Sequence, residues 1–275
     1  QHPFHSDLLL LQSEVMIFDG EIEEAMLLLD TIEEMEPSNE EIYIQKATIH
    51  SKQRNHKAAI AYLFKALDFA EDQCEVWCLL AMEYMVLENY TEAKNYFRRC
   101  IEEDPDDFQV LYNLLFCLEY LKAHEEAVEI LNNLLEKNPY NEIAWLEVGK
   151  QYLQLNKKEE ALGAFDFAII SEDTFTGAYI EKAKILESLG QINTAIEQYE
   201  CALKLEDPSS YLLVRIAHCH EALGNEQLAV QFFKQGINHD PSYEKAWTGI
   251  IDFYLNRGDN EKAHYYCEKA LQINE

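Results

Sequence analysis

Basic residues are scarce in this chain of 275 residues: 22 Lys and Arg stand against 51 Asp and Glu, for a net charge of −29. A field of that sign repels phosphate backbones, so nucleic acid is not an expected ligand. Long apolar runs are also missing. Runs such as Leu8 to Leu11 are short, and even the longest, such as Val76 to Met82, have seven residues, far short of a bilayer span, so no membrane insertion is expected. No Gly/Ser-rich or Pro-rich stretch breaks the chain, which leaves no linker to divide it. The G-x-x-x-x-G-K-[ST], G-x-G-x-x-G, H-E-x-x-H and G-x-S-x-G signatures are absent, and these absences predict a protein that is not an enzyme and needs no cofactor. The acidic run Glu102, Glu103, Asp104, Asp106, Asp107 lacks the glycine of a calcium loop, and Leu115 stands where the closing glutamate belongs. Asp106 and Asp107 read instead as the start of a helix, where the macrodipole favours negative charge.

What the sequence does have is a period. Stepping 34 residues from Ala161 in both directions meets Ala25, Ala59, Ala93, Ala127, Ala195, Ala229 and Ala263, without insertion or deletion. Four places after each alanine stands Leu29, Leu63, Phe97, Leu131, Phe165, Tyr199, Phe233 or Cys267. The Trp145 column is bulky throughout: Leu9, Tyr43, Trp77, Leu111, Trp145, Tyr179, Leu213, Trp247. The Gly149 column is small except at Leu115 and Ile251, where looser packing is expected.

Each period encodes two amphipathic helices. Trp145, Val148, Gly149 and Tyr152 form one apolar stripe; Ala161, Leu162, Phe165, Ala168 and Ile169 form the next. Between them Asn156 shares a column with Gly20, Gly190, Gly224 and Gly258, as a left-handed helix stop requires. Pro37, Pro105, Pro139 and Pro241 mark the joints, with Asn39, Asp106, Asn141 and Ser242 as candidate caps. Cys100, Cys117, Cys219 and Cys267 fall in or beside core columns and read as small apolar fillers, which favours a reduced, cytoplasmic setting. Cys74 and Cys78 lie one turn apart without a second ligand pair, and His218 and His220 cannot face one ion together with Cys219, so no metal is expected.

The pattern W-x2-L-G-x2-Y, A-x3-F-x2-A, P resembles the tetratricopeptide repeat, and Trp145, Gly149, Tyr152, Ala161, Phe165 and Ala168 match it in the best repeat. The resemblance implies an all-α fold, a right-handed α-solenoid of helix-turn-helix repeats, in a scaffold of a bacterial or other intracellular kind. Its expected divisions are 6–39, 40–73, 74–107, 108–141, 142–175, 176–209, 210–243 and 244–275, with residues 1–5 as the tail of a preceding repeat. Pro3 lies 34 residues before Pro37, and Glu275 ends a repeat without a polar capping helix, so a fragment of a longer protein is expected.

The resemblance places a protein or peptide partner in a concave groove lined by the first helices, at positions one, five, eight and nine after the Trp column. Those positions hold Cys78, Met82, Met85, Tyr112, Phe116, Glu119 and Tyr120, followed by the basic ladder Lys150, Lys184 and His218. An apolar anchor of the partner would meet Tyr112 and Phe116, and an acidic end would meet the lysines. Two plainer readings stand beside this: Met82, Met85 and Phe116 as packing between neighbouring repeats, and Lys150 and Lys184 as helix-surface ion pairs with Glu147 and Glu181. A carboxylate clamp of the chaperone-tail-binding kind is not expected. The column after Trp holds no lysine, and the column five after Trp holds no asparagine. Alternatives to the peptide-binding scaffold are a self-associating module, with homo-oligomers, and a regulatory arm of a larger protein.

Overall fold

The computed structural model describes residues 5–105, 107–205 and 209–273, with the His5 side chain left aside. Pro3, Asp106 and Glu275 lie outside the described residues. Among those described, the regular structure is α-helical throughout, in two compact units, residues 1–126 and 127–275. The first contains α1 (His5–Asp19), α2 (Ile22–Met35), α3 (Glu40–Lys52), α4 (His56–Leu67), α5 (Gln73–Val86), α6 (Tyr90–Glu103) and α7 (Phe108–Tyr120). The boundary falls within α8 (His124–Lys137). The second unit continues with α9 (Glu142–Gln154), α10 (Lys158–Ser171), α11 (Thr176–Ser188), α12 (Ile192–Leu205), α13 (Ser210–Ala222), α14 (Glu226–His239), α15 (Glu244–Leu255) and α16 (Asn260–Leu271). Within each unit a helix packs chiefly on its neighbours in sequence, the arrangement of an α-solenoid.

The helix stops explain how one period folds. Gly20, Gly190, Gly224, Gly258 and Asn156 all have positive φ, and so do Arg54, Glu88 and Lys122, which occupy the same column in the remaining repeats. The backbone closes alike at all of these but Gly20, where only the second bond forms: Asn156 N–H donates to Leu153 O at 3.0 Å and Lys157 N–H to Tyr152 O at 2.8 Å, while Arg54 and Asn55 bond Ser51 and His50 in the same way. These paired bonds use carbonyls that a helix end would leave unsatisfied. Three of the eight stops therefore carry an ordinary side chain in a region that strains it by about 1 kcal/mol or more.

Where the paired helices cross, all eight alanines of the repeating column are at most 2% exposed. A Cβ on Gly149 would sit 2.3 Å from the buried Phe165 ring, which is why that column demands a small residue. A second close approach was not legible: Gly249, two residues before Ile251, leaves room for Phe233, whose ring would meet a Cβ at 2.4 Å. The Trp column has a polar task as well as a packing one. Tyr43 Oη, Trp145 Nε1 and Trp247 Nε1 donate to the carbonyls of Pro37, Pro139 and Pro241 at 2.7, 2.8 and 2.9 Å, and Tyr179 Oη donates to Asp173 O at 3.0 Å. Each bond ties a first helix to the joint six residues before it. Trp145 is half-buried rather than enclosed, stacked on Phe167 at 4.7 Å.

Asn39 and Asn141 cap α3 and α9 as expected, accepting from Glu41 N and Ala144 N. Asp107 caps α7 through Val110 N. Ser242 does not cap α15: that helix begins one residue later, and the Ser242 hydroxyl instead donates to Asp240.

Candidate functional site

The sequence-derived groove residues divide between the two units. In the first unit α5 and α7 present Met82, Tyr112, Phe116 and Tyr120, all at least 45% exposed, with Met85 half-buried and Glu119 exposed beside them. Phe116 and Tyr120 are one turn apart on α7, so their rings fall on one face, 5.7 Å between centroids. A third ring joins them. Tyr90, the first residue of α6, stacks on Tyr120 at 4.2 Å and meets Phe116 edge-on at 6.0 Å. Desolvation by these neighbours, then the Tyr120 hydroxyl, raises the Tyr90 phenol above its usual value. Tyr90 was missed from the sequence because it begins a second helix, off the first-helix columns. Nearby, Asn113 Nδ2 reaches Met82 Sδ at 4.0 Å.

This face is an apolar surface with hydroxyl groups on its rings. Rings with few rotatable bonds lose little entropy on contact and bury much area, which suits an anchor pocket for another chain. The exposure of Met82, Tyr112, Phe116 and Tyr120 sets them apart from core residues such as Leu111, Leu114 and Leu118 on the same α7, which are fully buried.

In the second unit each member of the basic ladder meets a glutamate on its own helix. Lys150 pairs with Glu147 at 2.7 Å, Lys184 with Glu181 at 2.7 Å, and His218 with Glu221 at 3.5 Å. Burial works against the Lys184 charge, but the bond to Glu181 and that carboxylate's charge outweigh it, and the ammonium is held above its usual pKa. His218 also packs edge-on against Phe233 at 5.0 Å. Lys150 and Lys184 thus each carry an ion pair, and such exposed pairs contribute a few tenths of a kcal/mol.

The repeated hairpins and their exposed first-helix faces define the helical-repeat class of binding solenoids. Tetratricopeptide-repeat family models match residues 40–73, 87–146, 176–207 and 210–243, together more than half of the chain. The chain belongs to the tetratricopeptide-repeat family. Among curated relatives, the BBSome complex member BBS4 of Bos taurus is 21% identical over 85% of this chain and 47% of its own length. TPR repeat-containing protein YpiA of Bacillus subtilis is 20% identical over 95% of this chain and 62% of its own length. The chain thus spans less than two thirds of either relative. Among solved structures, the C-terminal part of a TPR repeat-containing protein from Cytophaga hutchinsonii is similar with a TM-score of 0.67, 12% identity, and coverage of 87% of this chain and 98% of that one. None of the described helices is long and apolar enough to cross a membrane.

Proposed function

We propose that this chain is a non-enzymatic interaction scaffold, acting in the cytoplasm, that binds a peptide or helix of a partner protein. One observation carries the reading: the half-buried Tyr90 closes a ring trio with Phe116 and Tyr120, and these two, with Tyr112 and Met82, are each at least 45% exposed on the first helices α5 and α7. Apolar side chains of the partner anchor on this trio. Glu119 at its margin and the net charge of −29 favour a partner that is basic around its anchors. The acidic end assigned to Lys150 and Lys184 on sequence grounds loses its motive once Glu147 and Glu181 neutralise them, so these lysines and His218 serve as secondary polar contacts. The reading takes residues 6–275 as one run of eight repeats. It is supported by the family and by the relative that is, by name, a member of the BBSome complex.

The test is selection of short peptides from a displayed library against the whole chain, repeated with the Tyr112→Ser/Phe116→Glu variant. Enriched peptides should carry aromatic or branched apolar residues flanked by lysine or arginine, and the folded variant should not retain them. Equal retention by the variant would sink the proposal.

Self-association is the second reading, favoured by α1, where Leu8, Leu11, Val15 and Phe18 are each more than half exposed on one side of the helix. Sedimentation that shows a monomer at every concentration removes it.

A further inference from the structure

Three of the seven cysteines fall within residues 74–107, and the fold brings their sulfurs together. Cys74 and Cys78 lie one turn apart near the start of α5, and Cys100 lies in the last turn of α6, its partner in the hairpin. All three Sγ atoms are within 4.8 Å of one another. Cys78 and Cys100 are 3.1 Å apart, and Cys100 Sγ is 3.5 Å from the Cys74 carbonyl oxygen. Cys100 is buried and the other two are half-buried, so the cluster is enclosed on one side and reachable on the other.

We propose that Cys74, Cys78 and Cys100 bind one thiophilic cation, Zn²⁺, through three thiolates, with the fourth position open towards the acidic pocket beside Cys74.

Packing alone does not call for this arrangement. In the other repeats the Cys74 column holds Ser6, Glu40, Phe108, Glu142, Thr176, Ser210 and Glu244, and the Cys100 column holds Ile32, Ala66, Leu134, Ala168, Ala202, Gly236 and Ala270. No other repeat has a cysteine in either. At the equivalent joint of α13 and α14, Ser210 Oγ donates to Gly236 O at 3.0 Å, which satisfies the hydroxyl with backbone. In α5 and α6 the joint instead contains three weak hydrogen-bonding groups that share one point.

The geometry is close to a ligand set. Zinc–sulfur bonds of about 2.3 Å at tetrahedral angles place thiolates about 3.8 Å apart. Cys78 and Cys100 would open by about 0.7 Å from their 3.1 Å separation, a movement within reach of side-chain rotation. Spacing of four on a helix points Cys74 and Cys78 to one side, and Cys100 closes the triangle from the partner helix. Cys74 also lines a pocket of about 560 Å³ whose wall includes Glu71, Asp72, Glu103 and Asp104, and a carboxylate wall concentrates cations. Trp77 lines the same pocket, its indole N–H shut away from solvent without a partner. Ligation displaces the thiol protons, so affinity falls as pH falls.

The experiment uses the full chain, reduced with a phosphine, titrated with Zn²⁺ against a chromophoric chelator and with Co²⁺ as a spectroscopic probe. Expected are one equivalent of tight binding, a thiolate-to-cobalt charge-transfer band, and a higher melting temperature with zinc. Cys100→Ala keeps the fold, since alanine fills that column at Ala66, Ala168 and Ala202, and should weaken zinc on the order of 100-fold or more while removing the band. Cys74→Ser should do the same, and Cys201→Ser should change nothing. Binding that survives Cys100→Ala, no binding at all, or a reduced protein that ignores zinc and oxidises to a Cys78–Cys100 disulfide would each overturn the site.

Discussion

The two units solve the problem of an exposed first-helix face in opposite ways. In the first, α5 and α7 leave rings and a thioether in water; in the second, Lys150, Lys184 and His218 each meet a glutamate three residues away on the same helix. An exposed ring gains when another apolar group covers it. A satisfied ion pair gains little, because a new partner must displace the old one or be desolvated beside it. The apolar face of the first unit is therefore the stronger place to test the proposed binding, and the paired residues of the second unit the weaker.

A second contrast concerns one bridge used twice. Lys46 reaches from α3 back to Asp30, at 2.6 Å, and to Glu33 on α2; four repeats later Lys182 reaches from α11 back to Asp166 on α10. Both lysines stand three places after the Trp column, sixteen residues from their aspartates. Lys46 has a 2% exposed side chain and two partners, whereas Lys182 is 19% exposed with one.

The largest effect belongs to the cores that both units share. Phe97→Ala and Phe165→Ala, in one column, should each cost about 3–5 kcal/mol in denaturant unfolding. If the units melt separately, each variant moves a different transition; a single shared shift would show one cooperative body. Trp145→Ala, at a half-buried ring, should cost about 2 kcal/mol. Next, Lys46→Ala should cost about 1–2 kcal/mol and Lys182→Ala about 1 or less, because only the first removes a buried side chain that bridges two carboxylates, while the carboxylates left behind stay partly in solvent. Equal costs would break this contrast. The bridge to Lys46 holds Glu33 below the usual carboxylate pKa. Its contribution is therefore complete above the unfolded carboxylate value and is lost as pH falls through the lowered folded one. In Lys46→Ala that part of the acid dependence should vanish from a pH series of melts.

For binding, Phe116→Glu should weaken a selected peptide by at least about 10-fold, as loss of an apolar anchor does. Lys150→Ala and Lys184→Ala should each change it by less than about 3-fold, the scale of an exposed pair. A larger effect at the lysines, read by calorimetry, would reverse the ranking of the two faces. The smallest effect is favourable: Glu88→Gly should stabilise by about 0.5 kcal/mol, since glycine accepts the left-handed conformation without strain but gains entropy when unfolded.

Much of this architecture was legible because a period exposes it. Eight alanines in register gave the helix crossings, and five Gly or Asn residues gave the stops. Arg54, Glu88 and Lys122 were not readable as stops from their chemistry, since none of these side chains favours positive φ; only their place in the column of Asn156 marks them. The ion pairs of the ladder were visible as Glu147 and Glu181 three places upstream. The cysteine trio was not, because 22 residues separate Cys78 from Cys100 and the hairpin alone makes them neighbours. Tyr90 was hidden for the same reason: it reaches α7 from the start of a different helix.

The identical closure at Gly190 and Gly224 has a consequence for lineage. Since both stops share φ near 75° and the same pair of backbone bonds, excising residues 191–224 would rejoin like with like and leave the downstream columns in phase. Array length can therefore change by whole modules through recombination without passing through misfolded intermediates, while a shift of even one residue would misplace every later alanine.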